Sequence, residues 1–460
     1  MRRISAPTTH PTMKIAILSL LTCFLGVVMS PCIFAKDTRP NIVVILADDM
    51  GFGELQCLNP DRGKIPTPQL DAIARSGMIF TDAHSGSSVC TPTRYGLMTG
   101  RYAWRTRLQS GVLRGGDSLI AQETLTVAEM LKSKGYHTAM IRKWHLGMKF
   151  DGVENHRKGA VKPGAVVTHG PIDFGGFDTF HGFHYARQMD LWIDDDKVTR
   201  NIEAVEMLPA LTAQAVDYIN GRKGRPQPFF LYIPWNAPHS PVVPSQAWQG
   251  KSGLNDHADF VMQTDDSYGQ VVKALKDNGF LNNTLIICSS DNGTSPNTSG
   301  VQQLKAAGHF SSGDLRGMKA DIWDGGHRVP FLVSWPGKIT PQSRCSDLVC
   351  LTDLMATAAE ITGYQLDEGD AVDSFSFLKA LTGKNPTPRA DVIHHSIKGN
   401  FAIRQGKWKL ITCPGSGGWS KSKAAKDSKN TPTVQLYNME TDIGEQNNLA
   451  SRRPESAPRR

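Results

Sequence analysis

A chain of 460 residues, 40% hydrophobic and 20% charged, can bury a large core, which excludes a disordered or low-complexity protein. Its 51 Lys and Arg against 43 Asp and Glu leave a formal charge of +8, a mild excess that points to no nucleic-acid partner. Residues 1–35 contain Arg2, Arg3 and Lys14, no acid, and an apolar run from Ile15 to Met29, and they read as a secretory signal peptide, with Met13 an alternative start. That run is shorter than the ~20 residues a spanning helix needs, and no other stretch qualifies. The expected product is exported, periplasmic or extracellular, with a formal charge of +5 once those three cations are gone. Of eight cysteines, Cys57, Cys90, Cys288, Cys345, Cys350 and Cys413 lie beyond the signal, and their pairing, Cys345 with Cys350 included, stays open.

Asn41 to Ala47 is a short apolar, β-branched run, as a strand buried on both faces requires. It ends in Asp48 and Asp49. Two carboxylates at the carboxyl end of a buried parallel strand stand where open α/β sheets bind ligands, and their hard oxygens suit Ca²⁺ or Mg²⁺; the other reading is a solvated turn. Pro68 to Gly77 has a helical period closed by Gly, and Met78 to Ala83 returns to the sheet. In Cys90-Thr91-Pro92-Thr93-Arg94 the Pro suggests a helix start with Cys90 at the N-cap. There the helix dipole, free N–H groups and Arg94 one turn on all favour an anion.

Leu125 to Lys134 reads as an amphipathic helix and Gly135 to Ile141 as a strand. The strand delivers Lys143 and His145, which, two apart on an extended segment, put a cation and a proton-transfer group over one spot. Residues 151–200 are rich in Gly, His and Asp without a period and read as an insertion framing a substrate mouth. His169, His181 and His184 are its candidates, ordinary surface histidines being the alternative. A helix over Leu208 to Asn220 leads to a strand over Pro228 to Pro234 and then to His239, held on a stiff loop between Pro238 and Pro241 as a preorganised acid or base. A helix over Ala258 to Asn278 precedes an apolar strand, Thr284 to Ser290, that ends in Asp291 and Asn292. A carboxylate and an amide oxygen there complete, with Asp48 and Asp49, an oxygen-ligand set. Beyond Trp335 the apolar runs shorten: a helix is expected over about Cys350 to Thr362, a strand pair over Phe401 to Ile411 around a Gly turn, and a strand over Gln435 to Glu440. Gly415 to Thr433 reads as a mobile loop and Ser451 to Arg460 as a frayed tail.

The Cys90–Arg94 motif followed by Leu97-Met98-Thr99-Gly100-Arg101 resembles the signature of the formylglycine-dependent sulfatases of the alkaline phosphatase superfamily, with Thr93 where Ser is commoner. Further segments follow in family order. Lys143-Trp144-His145-Leu146-Gly147 matches except for Arg142 in place of Gly; Ala237-Pro238-His239, Ser290-Asp291-Asn292-Gly293, Leu315-Arg316-Gly317-Met318-Lys319 and the Trp323–Phe331 stretch resemble the rest.

The resemblance implies an α/β fold, a large mixed and mostly parallel sheet flanked by helices, with a catalytic domain over 36–335 and a smaller antiparallel-sheet subdomain over 336–450. It implies that a formylglycine-generating enzyme oxidises Cys90, whose aldehyde hydrate is the nucleophile. Asp48, Asp49, Asp291, Asn292 and the modified Cys90 would hold one Ca²⁺, or Mg²⁺. Arg94 would steady the hydrate and the carboxylates; Lys143, Lys319 and His239 would grip the sulfate or leaving oxygen; His145 would take the hydrate proton. Read from its own neighbours, Arg328 is expected in a structural ion pair, with Asp324 the candidate partner, a second cation at the site being the alternative. The expected activity is hydrolysis of sulfate monoesters, on a sulfated carbohydrate or an aryl sulfate, with His181 and His184 contacting the sugar. The alternatives are a phosphate ester or phosphonate hydrolase on the same fold, and a non-catalytic binder of sulfated polymers.

Overall fold

The Asn41–Asp48 strand is apolar throughout because both its faces are covered. Ile42, Val44 and Leu46 enter one hydrophobic core and Val43, Ile45 and Ala47 another, on opposite sides of the sheet. The computed structural model describes residues 38–154, 159–185, 189–383, 386–420 and 433–450; the signal segment, the tail after 450 and most of the expected mobile loop lie outside them.

This strand lies in the middle of a ten-stranded sheet. Five contiguous strands run parallel, in the order Thr284–Ser290, Asn41–Asp48, Phe229–Pro238, His137–Lys143 and Thr179–Phe183. Phe331–Ser334 adds antiparallel beyond the first of these, and Leu191–Asp194 and Lys197–Asn201 add antiparallel beyond the last. Parallel neighbours need crossover connections, and helices supply them in two layers. Pro68–Ser76, Ala204–Gly221 and Asp256–Asp277 cover one face. Cys90–Thr99, Val127–Ser133 and Leu354–Thr362 cover the other. The Val127 helix starts where sequence chemistry says it should: Thr126 and Glu129 form a reciprocal capping box.

A second, antiparallel sheet takes its four strands in chain order, Asp391–His395, Phe401–Gln405, Trp408–Ile411 and Gln435–Asn438. Gly406, at φ 51°, makes the turn expected between the middle two. The large mixed sheet and the small C-terminal sheet are those the motifs imply.

Several expectations change in detail. The segment 151–200 is not an irregular insertion: Thr179–Phe183 and the two strands after it extend the main sheet, their short runs and polar exposed residues having hidden the period. Cys90 is the first residue of its helix rather than its cap, and Val89, with extended backbone, takes the cap position. Gly415–Ser420, expected to be mobile, are docked, the Trp419 and Ser420 amides donating to Asp321. Cys345 and Cys350 are both free thiols. No described helix is long and apolar enough to cross a membrane.

Candidate active site

Four adjacent parallel strands finish along one edge, and each delivers polar residues there. Asp291 and Asn292 follow Ser290, Asp48 closes its strand with Asp49 next, His239 follows Pro238, and Lys143 closes its strand two residues before His145. The Asp48 strand shifts register against Phe229–Pro238 between Leu46 and Asp48, a bulge of the kind that re-aims side chains beside a site. Asp49 then turns in the left-handed region, φ 68°, which Asp tolerates better than most residues. Gly293 has to be glycine: a Cβ there would lie 1.9 Å from the Gly325 carbonyl, and this close approach, with Lys319 N–H donating to Thr294 O, brings the Lys319 segment in.

These chain ends converge on a buried charge network. Arg94 donates through Nε (3.1 Å) and Nη2 (2.8 Å) to Asp291 Oδ2, and its Nη1 donates to the Lys143 carbonyl at 3.2 Å. Lys143 Nζ lies 2.5 Å from Asp48 Oδ2, and Lys319 Nζ bonds Asp49 Oδ1. Asn292 Nδ2 donates to Asp49 Oδ1 at 2.8 Å. Ligand atoms of Asp48, Cys90 and Asp291 lie within 4.8 Å of one another, as do those of Asp48, Asp49 and His239. Two acceptors remain: Asp48 Oδ1 and Asn292 Oδ1 are buried with no hydrogen-bond partner among the described residues. Orphaned oxygens between crowded carboxylates fit a hard divalent cation, so the residues present suit the implied ion.

The electrostatics agree with that crowding. Burial alone would raise the Asp48 carboxyl, but Lys143, His239 and Arg94 hold it well below the usual range. Asp291 is instead pushed up to about 7 by burial and by Asp48 beside it, despite Arg94. Burial pushes the Cys90 thiol up against the pull of Lys143 and Lys319, so unmodified Cys90 is a neutral thiol and a weak nucleophile. Burial, helped by Lys143 and Arg94, holds His145 well below its usual range, and burial lowers His239 too. Thr93 serves where Ser is commoner: its hydroxyl donates within reach of the Val89 and Ser87 carbonyls, each at 3.1 Å.

Not every expectation about side-chain direction survives. Lys143 and His145 are not on one extended segment, because the strand stops at Lys143 and His145 has φ 58°. His145 Nε2 lies 2.9 Å from the Leu113 carbonyl, a partner no motif announced, while its Nδ1 has no partner among the described residues. Arg142, where the family pattern has Gly, sits at φ 136°, a region that favours glycine and costs other residues about 1–3 kcal/mol. Its guanidinium is buried over the Trp235 ring at 4.2 Å. His184 is buried, and its carbonyl accepts the His145 N–H; His181 turns to Asp194, 2.7 Å away. His169 is at the surface, stacked on Phe174. Arg328 does reach Asp324, at 3.4 Å, and also Asp82 at 3.3 Å.

A strand-edge site of this kind on this sheet defines an ester hydrolase of the sulfatase class: the sulfatase family model matches residues 40–364, and the chain belongs to that family. It is a sulfuric ester hydrolase. It is 30% identical to an N-acetylgalactosamine-6-O-sulfatase of Bacteroides thetaiotaomicron, covering 91% of both chains. It is 33% identical to human arylsulfatase A over 89% of this chain and 83% of that one. A structure solved in work on the metabolism of multiple glycosaminoglycans by Bacteroides thetaiotaomicron superposes with a TM-score of 0.78 at 27% identity, covering 91% of this chain and 97% of the other.

Proposed function

We propose that this sulfatase hydrolyses sulfate monoesters of a carbohydrate, using Cys90 as formylglycine and one Ca²⁺ or Mg²⁺ on Asp48, Asp49, Asp291 and Asn292. The observation that carries this is the pair of orphaned buried oxygens, Oδ1 of Asp48, which clusters with Cys90 and Asp291, and Oδ1 of Asn292, the residue after Asp291. When present, the ion and the aldehyde hydrate supply charge stabilisation for sulfuryl oxygens and an oxygen nucleophile.

The chain's own residues do the rest. Lys143 and Lys319 hold positive charge where the sulfate oxygens gain negative charge, in a site too buried for water to screen them. Arg94, fixed by its fork on Asp291, keeps the carboxylates apart and adds a third cation. His145 donates Nε2–H to the Leu113 carbonyl, so the neutral ring carries its lone pair on Nδ1, from which it can accept a proton. His239 donates Nδ1–H to the Ser240 carbonyl at 2.6 Å, so Nε2, 3.8 Å from Asp49 Oδ2, must first take up a proton of its own before it can grip the leaving oxygen and hand that proton on. A sulfated amino sugar is the substrate that the Bacteroides relative supports, with His181, part-exposed beside Asp194, as the sugar contact, while buried His184 holds the His145 N–H through its carbonyl.

Asp49→Ala should cut turnover by at least about 10³-fold while the protein stays folded, because it removes one ion ligand and strands Lys319. Metal analysis beside sulfate release from an N-acetylgalactosamine 6-sulfate saccharide and from an aryl sulfate checks it. Wild type should retain one alkaline-earth ion that the variant loses. Full activity in the variant, or in chelated wild type, refutes the ion; aryl sulfate turnover with no sugar turnover refutes the carbohydrate.

A further inference from the structure

The turns that carry the site's residues meet again one layer further out, on Thr294. This residue follows Asn292 by two, has no solvent exposure, and bonds groups from far along the chain. Its hydroxyl oxygen accepts the Gly51 N–H at 2.9 Å, and Gly51 follows Asp49 by two. The hydroxyl proton then has one destination, Glu54 Oε1 at 2.7 Å, because a carboxylate only accepts. The Thr294 carbonyl takes the Lys319 N–H at 3.1 Å. One residue therefore bonds both the Asp49 turn and the Lys319 segment from within the Asn292 turn.

Glu54 is itself fixed. It ends the short turn Phe52–Glu54, is fully buried, and its Oε1 also lies 2.9 Å from Nε2 of His257, in the first turn of the Asp256–Asp277 helix. Burial would raise its carboxyl, but His257, His309 and the Thr294 hydroxyl hold it below the usual range, so it stands as a carboxylate. There is little room for these bonds to shift: a Cβ on Gly51 would lie 2.4 Å from both Thr294 Oγ1 and the Ser311 carbonyl. A threonine that only satisfied its own turn would bond backbone groups two to four residues away. The two hydroxyl bonds of Thr294 instead reach 243 and 240 positions back along the chain.

We infer that Thr294 is a positioning residue for the ion site, its hydroxyl setting the distance between the Asp48–Asp49 and Asp291–Asn292 ligand pairs, with Glu54 and His257 anchoring it to the helix layer. This role rests on the ion proposed above and adds the group that shapes the site before the ion arrives. Asp49 and Asn292 sit on turns, which yield more readily than the strands below them, and crowded carboxylates push such turns apart when no cation lies between them. Among the described residues no hydrogen bond joins Thr294 to a ligand side chain, so its effect runs through the backbone of the two turns. The carbonyl bond does the same for Lys319, whose ammonium pairs with Asp49. Hydrogen bonds that orient metal ligands from behind change metal affinity by about 10- to 100-fold.

The test is calorimetric titration of the chelator-stripped full chain with calcium chloride, and separately with magnesium chloride, well below the melting temperature of every variant, with the Tm of each stripped chain measured beside it. Thr294→Val keeps the shape, removes the hydroxyl and should weaken ion binding about 10- to 100-fold, whereas Thr294→Ser keeps the hydroxyl and should stay within about threefold of wild type. Thr357→Val is the control. That buried hydroxyl, on the Leu354–Thr362 helix, likewise accepts one backbone N–H, from Phe377 at 3.1 Å, and donates to one acceptor, the Asp353 carbonyl at 2.7 Å. Its loss should lower Tm and leave ion affinity unchanged. Thr294→Val that binds the ion like wild type overturns the positioning role and leaves the ion itself standing. Thr294→Ser or Thr357→Val that loses as much affinity as Thr294→Val overturns it equally. Wild type that takes up neither Ca²⁺ nor Mg²⁺ overturns the ion, and this role with it.

Discussion

Cys90→Ala should lose at least about 10⁴-fold in turnover, the scale of removing a covalent nucleophile, with little change in stability. The helix that Cys90 begins is anchored elsewhere: by Thr93 on Val89 and Ser87, by Arg94 on Asp291, and by Tyr95, Leu97 and Met98 in the core. Removing one sulfur leaves those contacts alone. Cys90→Ser should be nearly as inactive, since a plain hydroxyl lacks the second oxygen of an aldehyde hydrate. The same position offers a direct chemical reading. The tryptic peptide from Ser76 to Arg94 of active protein should carry the mass of formylglycine at Cys90. An unaltered cysteine mass in fully active protein would end the proposed mechanism, as would retained activity in Cys90→Ala.

Arg94→Met should cause the largest loss of stability of any single change in the network. The guanidinium is almost wholly buried and forks onto Asp291, with Asp48 3.4 Å from Nη2. Met keeps much of the volume and removes the charge. Breaking one side of a buried ion pair costs about 3–5 kcal/mol, because the carboxylates stay behind uncompensated. Chemical denaturation in chelator isolates the effect and predicts its pH dependence. Asp291 is already raised to about 7, so the native state binds a proton that the unfolded chain gives up near pH 4. That raised carboxyl destabilises the fold increasingly as pH rises between those values. Without Arg94 the native value rises further, so the decline should extend to higher pH, and the variant should approach wild-type stability only on acidification. A variant as stable as wild type at neutral pH would show that Arg94 does not balance these charges.

The strand-end residues were legible in the sequence because each follows an uninterrupted apolar run: Asp48 after Ile42–Ala47, Asp291 after Leu285–Cys288. A buried parallel strand writes its own end as the first charge. Cys90 was placed within one residue by Pro92, since proline also fits inside the first turn and so marks a helix start only to that tolerance. The Thr179–Asn201 strands were missed because they are short, half exposed and carry His, Asp and Lys on their open sides. The Leu113 carbonyl on His145 had no signal, as any residue offers a carbonyl.

The depth of Cys90 bears on the order of events in the protein's life. The side chain is 3% exposed, and every residue of its helix is buried. Under the proposed modification, an enzyme that oxidises Cys90 would have to reach it before this helix is buried, because the finished fold closes over it. On that proposal maturation and folding would compete for this stretch, and a molecule that folded first would keep its thiol. The fraction of active protein is then a ratio of two rates. The central sheet pairs strands distant in the chain, Asn41–Asp48 with Thr284–Ser290, a topology that folds slowly, and that delay would be the interval in which the cysteine can still be reached.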